Sequence, residues 1–413
     1  MLLIKVWKSS KELKMYKLYP YQINIVSAIE KDMTNPYNSV VVMPTGSGKS
    51  YIIAEIARWL QQPILILQPN VEILRQNKEK LSLVVAKDEI GVYSASMNEK
   101  TIKTYTFATI GSIYKKSALF KHFKLILIDE CHLVNHKKLS TMFMSFLRQI
   151  GSPKCIGLTA TPYRMESWGE RLPNGYVLSH TSTKMINRCM NPFWSRILVS
   201  LNIGDLIEAG YLCQPTYINK TLIPLEDLKA NTSHTDYDLN DFQKKIKNKE
   251  EEIKAILAWA VKSHKHTLVF CSSVAQAEAL KQQFDGSEVI SAKTNKKDRL
   301  RIVDEFRDGK VKMVFNVECL TTGFDFPALD CIVVLRPTQS IRLHVQMLGR
   351  GVRIASNKKT CDVIDLVGNV KKLGKVESVR VKRLSDGWNI TSDTGTWHNK
   401  ELYSYSYKER ERY

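Results

Sequence analysis

The chain has 413 residues, and 61 Lys and Arg against 41 Asp and Glu give it a formal net charge of +20. This length predicts two or three domains, each able to bury its own core. The basic excess indicates a polyanionic partner, most often nucleic acid, although a basic surface without a partner would have the same composition. No apolar stretch approaches the roughly 18 residues of a membrane span, and Met1–Ile4 is too short for a signal-peptide core, which argues against a membrane protein.

Eight cysteines are scattered singly along the chain, and no two of them form a CxxC pair. Most lie within apolar runs, such as Leu268–Cys271. We expect small buried side chains in a reducing compartment, the cytoplasm, rather than zinc ligands or disulfides.

The first half of the chain alternates short β-branched runs with helical patterns. The predicted strands are Ser39–Met43, Pro63–Gln68, Thr104–Ala108, Leu125–Asp129 and Cys155–Thr161, and the predicted helices include Ile23–Asp32, Val71–Leu81 and Lys137–Ile150. Such alternation indicates a parallel sheet with helices on both faces.

Between the two halves the periodicity lapses. Residues 164–200 contain Gly169, Pro173, Gly175 and Pro192 with little alternation, which predicts a surface excursion. Residues 231–248 are polar and rich in lysine, which predicts a solvated segment within the second domain.

A second alternating array follows. Its predicted strands are His266–Ser273, Glu288–Ala292, Val311–Val317, Cys331–Arg336 and Thr360–Val367, and its predicted helices are Val274–Phe284, Lys296–Arg307 and Gln339–Gly349. Two successive α/β arrays of similar size predict a tandem of domains, with a ligand cleft between them.

The stretch Met43–Ser50, MPTGSGKS, joins a predicted strand to a predicted helix. A Gly-rich turn in this position directs backbone N–H groups at phosphates, and the helix N-terminus adds partial positive charge. Lys49 can reach the β- and γ-phosphates and the Ser50 hydroxyl can bind Mg²⁺, while Gly46 and Gly48 let the backbone approach closely. The residues predicted to hold ATP here are Thr45, Gly46, Ser47, Gly48, Lys49 and Ser50.

Asp129 and Glu130 end an apolar strand, at the sheet edge where the Gly-rich turn also lies. An acidic pair at a strand end is by itself more often a helix cap or a solvated turn. Following a phosphate-binding turn in the same α/β array, it predicts a metal holder, Asp129, and a general base for the attacking water, Glu130.

Thr159–Pro162, TATP, ends the next strand. Its hydroxyls and extended backbone suit a relay between the nucleotide and the rest of the protein. A strand end stopped by proline would explain the same four residues equally well.

Gln346–Arg353, QMLGRGVR, follows in the second array. Arg350 and Arg353 are three positions apart and would share one face if the segment were helical. Two guanidinium groups can stabilise the charge on a transferring γ-phosphate, so hydrolysis would require both domains to act on one ATP. A basic helix face without a catalytic part is the alternative.

Six motifs occur in the order found in superfamily 2 DExH helicases, which the chain resembles from about Leu18 to Val367. Within this superfamily, Asn316–Pro327 and Leu335–Thr338 look most like the bacterial RadD-type DNA-repair ATPases. The cysteine-rich segment that usually follows the motor in those proteins has no counterpart here beyond Cys361. The six motifs are Tyr19–Gln22, Met43–Ser50, Asp129–His132, Thr159–Pro162, Thr321–Asp325 and Gln346–Arg353.

This resemblance implies a fold and a domain organisation. The fold class would be α/β, with two tandem RecA-like parallel-sheet domains, an ATP cleft between them and a short basic and aromatic C-terminal extension. The implied ranges are 1–165 for the first RecA-like domain, 166–204 for the excursion and linker, 205–370 for the second RecA-like domain and 371–413 for the extension.

The resemblance also implies roles for single residues. Gln22 would recognise the adenine edge, Gly323 and Asp325 would meet the nucleotide from the second domain, and Gln346 would position the γ-phosphate or the attacking water. The nucleic-acid contacts would be sequence-independent contacts to phosphates. They would fall on Gln68, Pro69, Thr109, Gly111, Ser272, Ser273, Thr321 and Thr322.

The C-terminal extension combines lysines and arginines with Trp388, Trp397 and the alternating Tyr403, Tyr405 and Tyr407. Aromatic rings beside cations can stack on an unpaired strand. The alternating tyrosines are more simply one packed face of a terminal strand, and the basic run remains compatible with either interpretation.

These patterns predict an ATP- and Mg²⁺-dependent motor on nucleic acid, a helicase or translocase. DNA, single-stranded or branched, in repair or recombination is favoured only through the RadD-type resemblance. The alternatives are a non-unwinding DNA-dependent ATPase switch or clamp, the motor subunit of a restriction or defence complex, and, less favoured, an RNA helicase. No protein partner can be read from the sequence.

Overall fold

The structure is a computed structural model that describes residues 16–135, 139–173, 175–187, 193–233, 235–319, 326–385, 387–396 and 401–408. The chain divides into two compact units. The first comprises the residues up to Val41 together with Gly48–Leu158, and the second comprises Val42–Ser47 together with the residues from Thr159 onward.

The first sheet has eight strands in the order β10-β1-β7-β6-β2-β5-β3-β4. The pairs β2–β5, β2–β6, β3–β5 and β6–β7 are parallel, and the short edge strand β4 pairs antiparallel with β3. Its strands are β1 (Ser39–Val42), β2 (Ile64–Gln68), β3 (Ile90–Ser94), β4 (Glu99–Lys100), β5 (Tyr105–Thr109), β6 (Leu125–Asp129), β7 (Lys154–Thr159) and β10 (Arg196–Ser200).

Helices connect these strands because apolar residues recur at helical spacing between them. They are α1 (Pro20–Asp32), α2 (Lys49–Leu60), α3 (Val71–Leu81), α4 (Ile110–Ile113) and α5 (Met142–Gln149). The parallel α/β class predicted for this half is thereby confirmed. Strand β3 is absent from the prediction, since Gly91 interrupts its β-branched run.

The second sheet has six strands in the order β11-β16-β15-β12-β14-β13, all paired in parallel. The loops that follow these strands therefore open at one carboxyl edge. The strands are β11 (Pro215–Asn219), β12 (Thr267–Cys271), β13 (Ser287–Ile290), β14 (Met313–Asn316), β15 (Cys331–Leu335) and β16 (Cys361–Asp365).

The helices of the second half are α6 (Ile203–Glu208), α7 (Leu239–Ile246), α8 (Glu250–Ser263), α9 (Val274–Lys281), α10 (Lys296–Arg307), α11 (Ile341–Leu348) and α12 (Asn369–Leu373). The three predicted helices correspond to α9, α10 and α11, and the α/β class is confirmed, whereas α6, α8 and α12 are absent from the prediction. Helix α7 departs from the prediction of a solvated segment at 231–248. It buries Phe242 completely, which its lysine-rich composition conceals.

Two further sheets are antiparallel. The sequence pattern predicts little regular structure at 164–200, whereas this region contains the long hairpin of β8 (Tyr163–Arg171) and β9 (Tyr176–Met185). Strand β20 (Glu401–Lys408), which carries the alternating tyrosines, pairs with β9. The third strand group is β17 (Arg380–Leu384), β18 (Gly387–Ser392) and β19 (Gly395–Thr396). Trp397 lies outside the described residues.

No helix among the described residues is both long and apolar enough to cross a bilayer. The seven cysteines in the same part of the chain are free thiols, and all except Cys319 are buried. Their burial confirms their predicted packing role.

A buried ion pair ties α1 to the amino-terminal ends of β1 and β7. Lys154 Nζ lies 2.8 Å from Asp32 Oδ2 and donates to the carbonyl oxygen of Asn35 at 3.0 Å. Asp32 Oδ2 also accepts from Ser39 Oγ at 2.6 Å. The Lys154 and Asp32 side chains are only 11% and 2% exposed, so removing one charge leaves the other buried.

We therefore expect Lys154→Ala to reduce the stability of the first unit by about 3 kcal/mol, since an unpaired buried charge is costly. Native-state hydrogen exchange of β1 and β7 amides would measure the loss. Lys78→Ala is the matched control, because Lys78 pairs with Glu99 at 3.4 Å with both side chains about one third exposed. Equal effects of the two substitutions would contradict this assignment.

Candidate active site

The turn between β1 and α2 has the backbone geometry of a phosphate cradle. Gly46 and Gly48 both adopt positive φ, 86° and 83°, and α2 begins at Lys49 directly after them. Ser47 Oγ donates to the carbonyl oxygen of Pro44 at 2.7 Å, which fixes the turn from within. The N-terminus of α2, with its partial positive charge, thus follows the glycines directly, as anion binding requires.

The two glycines are also needed because other side chains approach them closely. A Cβ on Gly46 would lie 2.9 Å from Arg353 Cγ, and a Cβ on Gly48 would lie 2.4 Å from Gln22 Nε2. Gln22 is 4% exposed, and its Oε1 accepts from the backbone N–H of Tyr19 at 2.9 Å. Gln22 therefore lies against Gly48, and Arg353 lies against Gly46.

Lys49 and Glu130 form an ion pair, with 2.9 Å between Lys49 Nζ and Glu130 Oε1. Glu130 follows β6 in the left-handed conformation, at φ 48°, which is unusual for a residue with a side chain. The other carboxylate oxygen of Glu130 lies 3.4 Å from His132 Nδ1. A residue in the left-handed conformation at a strand end, in contact with both a lysine and a histidine, is typical of a functional position.

Asp129 differs from Glu130 in environment. Its side chain is 6% exposed, and its two oxygens accept from Asn77 Nδ2 at 3.1 Å and from the backbone N–H of Glu130 at 2.9 Å. Burial, and secondarily the charge of Glu130, raises the pKa of Asp129 to about 6, while Lys49 acts in the opposite direction. A carboxylate fixed by two donors beside a lysine fits the hard oxygen ligand that Mg²⁺ requires.

The TATP segment supports the Gly-rich turn. The backbone N–H of Met43 donates to the carbonyl oxygen of Thr159 at 2.8 Å, and Thr159 Oγ1 accepts from the backbone N–H of Thr161 at 3.0 Å. Both threonines are fully buried. Their contacts place the end of β7 directly beside the start of the turn.

Helix α11 ends at Leu348, before the two arginines, so they do not share a helical face. Arg350 and Arg353 lie in the turn that follows, and Gln346 and Arg350 are 8% and 5% exposed. Gly351 allows close packing in this turn, because a Cβ there would lie 2.6 Å from Cys361 Sγ. On the other side, a Cβ on Gly349 would lie 3.4 Å from Thr45 Cβ, so the arginine turn packs on the Gly-rich turn.

The nucleic-acid contacts predicted in the first unit follow β2 and β5. Gln68 is 2% exposed, and its side-chain amide has no hydrogen-bond partner among the described residues. Thr109 Oγ1 shares a hydrogen bond with Ser112 Oγ at 2.9 Å. A Cβ on Gly111 would meet no atom within 4 Å, so internal packing does not require this glycine. Pro69 follows Gln68 directly at the same strand end.

The contacts predicted in the second unit are hydroxyls that already have partners. Ser272 Oγ donates to Gln276 Oε1 at 3.0 Å and accepts from Gln243 Nε2. Ser273 Oγ caps α9 by accepting from the Gln276 N–H at 3.1 Å. The remaining predicted residues of this unit, Thr321, Thr322, Gly323 and Asp325, lie outside the described residues.

Sequence reasoning did not identify Asn77 or His132 as site residues. Asn77 lies on α3 and is 1% exposed. The available signal in the sequence was an asparagine at the helical spacing of the apolar residues Ile73, Leu74 and Leu81. His132 belongs to the recognised Asp129–His132 motif, and only its contact with Glu130 reveals its part.

Two protein families match the chain. The family described as "Type III restriction enzyme, res subunit" matches residues 15–164, and the family described as "Helicase conserved C-terminal domain" matches residues 248–355. The two matches fall on the first and the second α/β array.

Several curated proteins are similar to most of this chain. The protein of Schizosaccharomyces pombe named as a mitochondrial ATP-dependent helicase, irc3, is 25% identical, with 86% of this chain and 58% of the relative aligned. The DNA 3'-5' translocase XPB2 of Sulfurisphaera tokodaii is 26% identical, with 82% and 79% aligned. The chain thus spans little more than half of irc3.

Solved structures show the same fold. The DNA-bound Type ISP restriction-modification enzyme LlaBIII has a TM-score of 0.62 and 16% identity, covering 86% of this chain and 28% of the enzyme. A fragment of an HsdR subunit of a type I restriction enzyme from Vibrio vulnificus YJ016 has the same TM-score and 19% identity, covering 86% and 66%. Together with the two family matches, these findings support a superfamily 2 helicase, with two RecA-like domains.

The raised pKa of Asp129 predicts a pH-dependent stability in metal-free, nucleotide-free protein. Its ordinary value is 3.8 and its folded value is about 6, so the folded chain retains a proton that the unfolded chain loses. The contribution of Asp129 to stability should therefore fall as pH rises from about 4 to 6, by at most about 3 kcal/mol. Denaturation with urea across this range, in chelator, would measure it.

Asp129→Asn should flatten this slope, because no proton can be gained or lost at that position. Asp308→Asn is the control, since Asp308 is 59% exposed and should keep the wild-type slope. An unchanged slope in Asp129→Asn would refute the assignment.

Proposed function

We propose that this chain is an ATP-driven motor on nucleic acid, a helicase or translocase. The observation that carries the proposal is the Lys49–Glu130 ion pair at the start of α2, which directly follows a Gly-rich turn with positive φ at Gly46 and Gly48. A phosphate-binding turn, a cation and a carboxylate are groups that phosphoryl transfer from ATP to water uses. The matched helicase families and helicase relatives support the same reaction.

Lys49 would exchange its partner when ATP binds. A triphosphate competes with Glu130 for the Lys49 ammonium, because phosphate oxygens carry more charge than one carboxylate. The exchange releases a carboxylate oxygen of Glu130 toward the water that attacks the γ-phosphorus. The phosphorus–oxygen bond to water forms as the bond to the β-phosphate oxygen breaks, and Glu130 takes the water's proton.

Residues around the turn would hold the nucleotide and the developing charge. Gln22 would hydrogen-bond the adenine edge, Gln346 would orient the γ-phosphate or the water, and Arg350 and Arg353 would stabilise the transferring group. The turn itself would bind through Thr45, Gly46, Ser47 and Gly48, and the second array would add Gly323 and Asp325.

Mg²⁺ fits the oxygen donors at this site. The Ser50 hydroxyl and the Asp129 carboxylate would hold it, and it would supply charge neutralisation of the phosphates. Asn77 would support this metal site, because its hydrogen bond keeps the Asp129 carboxylate in one orientation.

The polymer is proposed to be DNA, bound as a single or branched strand. The net charge of +20 favours a phosphate backbone as the partner. The relative from Sulfurisphaera tokodaii is named as a DNA translocase. The RadD-type resemblance narrows this proposal to DNA repair or recombination. The proposed contacts would bind phosphates, and each hydrolysis cycle would change how they do so. These contacts are Gln68, Pro69, Thr109, Gly111, Ser272, Ser273, Thr321 and Thr322.

A motor subunit of a restriction or defence complex is the second candidate. The match of residues 15–164 to a restriction-enzyme subunit family favours it. Cleavage would then come from another chain, and co-purification of a nuclease or methyltransferase with this protein would support that candidate over a stand-alone motor.

We expect Lys49→Ala and Glu130→Gln each to lower nucleic-acid-stimulated ATPase activity by about 10²–10³-fold, because each removes a group that acts on the transition state. Filter binding of a single strand should change little, because neither residue is among the proposed strand contacts. A phosphate-release assay on purified variants measures the first quantity.

The control for this pair is Lys78→Ala, a partly exposed lysine of the same unit. It should hydrolyse ATP at the wild-type rate. Full turnover in Lys49→Ala or in Glu130→Gln would remove the role assigned to that residue.

Activity across different polymers should identify the substrate. We expect single-stranded or forked DNA to stimulate ATP hydrolysis more than matched RNA, with stimulation falling as salt rises because phosphate contacts release counterions. Strand displacement on forked DNA would indicate a helicase, and hydrolysis without displacement would indicate a translocase or an ATPase switch. Stronger stimulation by RNA would reject the DNA assignment.

A further inference from the structure

Residues 220–233 and 235–249, between β11 and α8, run along the carboxyl edge of the second sheet. Their first part is anchored where β16 ends, because the Leu222 N–H donates to the carbonyl oxygen of Leu366 at 2.9 Å. Their last part contains α7. We call Asp236–Ile246 within this stretch the bridging segment, since each of its ends contacts a different loop of that edge.

One end of the bridging segment holds the loop that enters α11. Asp236 Oδ2 accepts from Thr338 Oγ1 at 2.9 Å, and Asp236 Oδ1 accepts from the Gln339 N–H at 2.7 Å. Thr338 Oγ1 in turn accepts from the Ser340 N–H at 3.0 Å. Ser340 Oγ caps α11 by accepting from the backbone N–H of Leu343 at 3.2 Å. Asp236 thus fixes the start of the helix that leads to Gln346 and the arginine turn.

The other end of the bridging segment holds the loop after β12. Gln243 Nε2 donates to Ser272 Oγ, and Ser272 passes the hydrogen bond on to Gln276 at the start of α9. Ser272 and Ser273 are proposed strand contacts. A side chain from the bridging segment therefore touches the loop that would meet the nucleic-acid backbone.

The bridging segment is tightly packed, so a displacement of one end is expected to move the other end. Phe242 is fully buried and Tyr237 is 3% exposed. Lys372 Nζ donates to Tyr237 Oη at 2.7 Å and also lies over its ring. Asp238 caps α7 by accepting from the N–H groups of Asn240 and Asp241. A packed segment of this kind moves as one body.

We propose that the bridging segment couples nucleic-acid binding at Ser272–Ser273 to the placement of Arg350 and Arg353, with Asp236 and Gln243 as its positioning residues. The inference rests on the proposed function and names how the strand would regulate that same ATP site. When a phosphate backbone binds the loop that contains Ser272, Gln243 exchanges its hydrogen-bond partner. The bridging segment then shifts, and Asp236 moves the loop that enters α11.

Gln243→Ala tests the strand-side contact. We expect the stimulation factor, the ratio of ATPase rates with and without single-stranded DNA, to fall by about fivefold, the size of a modest coupling between sites. The affinity for the same strand, measured by fluorescence anisotropy at the same salt, should stay within about twofold, since phosphate contacts dominate binding. Asn240→Ala, an exposed position one residue into α7, is the matched control and should keep the wild-type factor.

Asp236 variants test the contact with the loop that enters α11. Asp236→Ala loses both hydrogen bonds to the loop that enters α11. It should lower the stimulated kcat by about tenfold with little change in the KM for ATP, because catalytic groups are displaced. Asp236→Asn retains an acceptor for the Gln339 N–H and should recover most of this rate. A purely structural role would lower thermal stability in both variants without this recovery.

The double variant Gln243→Ala with Asp236→Ala should be non-additive, because both substitutions interrupt one path. A wild-type stimulation factor in Gln243→Ala, or independent effects in the double variant, would overturn the inference and leave the motor function standing. A wild-type chain without nucleic-acid-stimulated hydrolysis would overturn both.

Discussion

The candidate site depends on how closely the backbone between β1 and α2 can be approached. Gly46 and Gly48 adopt positive φ, and neither has a side chain to exclude its neighbours. Arg353 occupies the space beside the first glycine and Gln22 the space beside the second. Any larger residue would meet both steric overlap and an unfavourable backbone conformation. The glycines that suit phosphate binding are therefore also the points at which protein side chains converge on the turn.

Two adjacent carboxylates at the end of β6 acquire different chemistry from their surroundings. Asp129 is buried, and burial raises its pKa, while an amide and a backbone N–H hold its oxygens in place. Glu130 turns into the left-handed region and faces Lys49 and His132. One group is thus suited to hold a cation and the other to exchange partners during a reaction. The backbone conformation at Glu130 is what separates the two directions.

At the carboxyl edge of the second sheet, the predicted contact serines already form hydrogen bonds within the protein. Ser272 and Ser273 both use their side chains within the protein, so a nucleic-acid backbone would compete with existing hydrogen bonds there or use main-chain groups. The bridging segment joins this loop to the loop that precedes α11. Binding and catalysis in the second unit would in this way share one connected set of polar contacts.

The sequence alone determined the α/β class, the positions of most strands of the two α/β sheets, and the Gly-rich turn, acidic pair and arginine motif at their ends, because these follow from local periodicity and from backbone demands within a few residues. It could not show that Asn77 orients Asp129, or that α11 ends before Arg350. It also concealed the β8–β9 hairpin and the buried face of α7. Only the tertiary structure decided these, since they depend on packing between residues far apart in the chain. The same packing, rather than any motif, places Arg353 against Gly46 and Gln243 against Ser272.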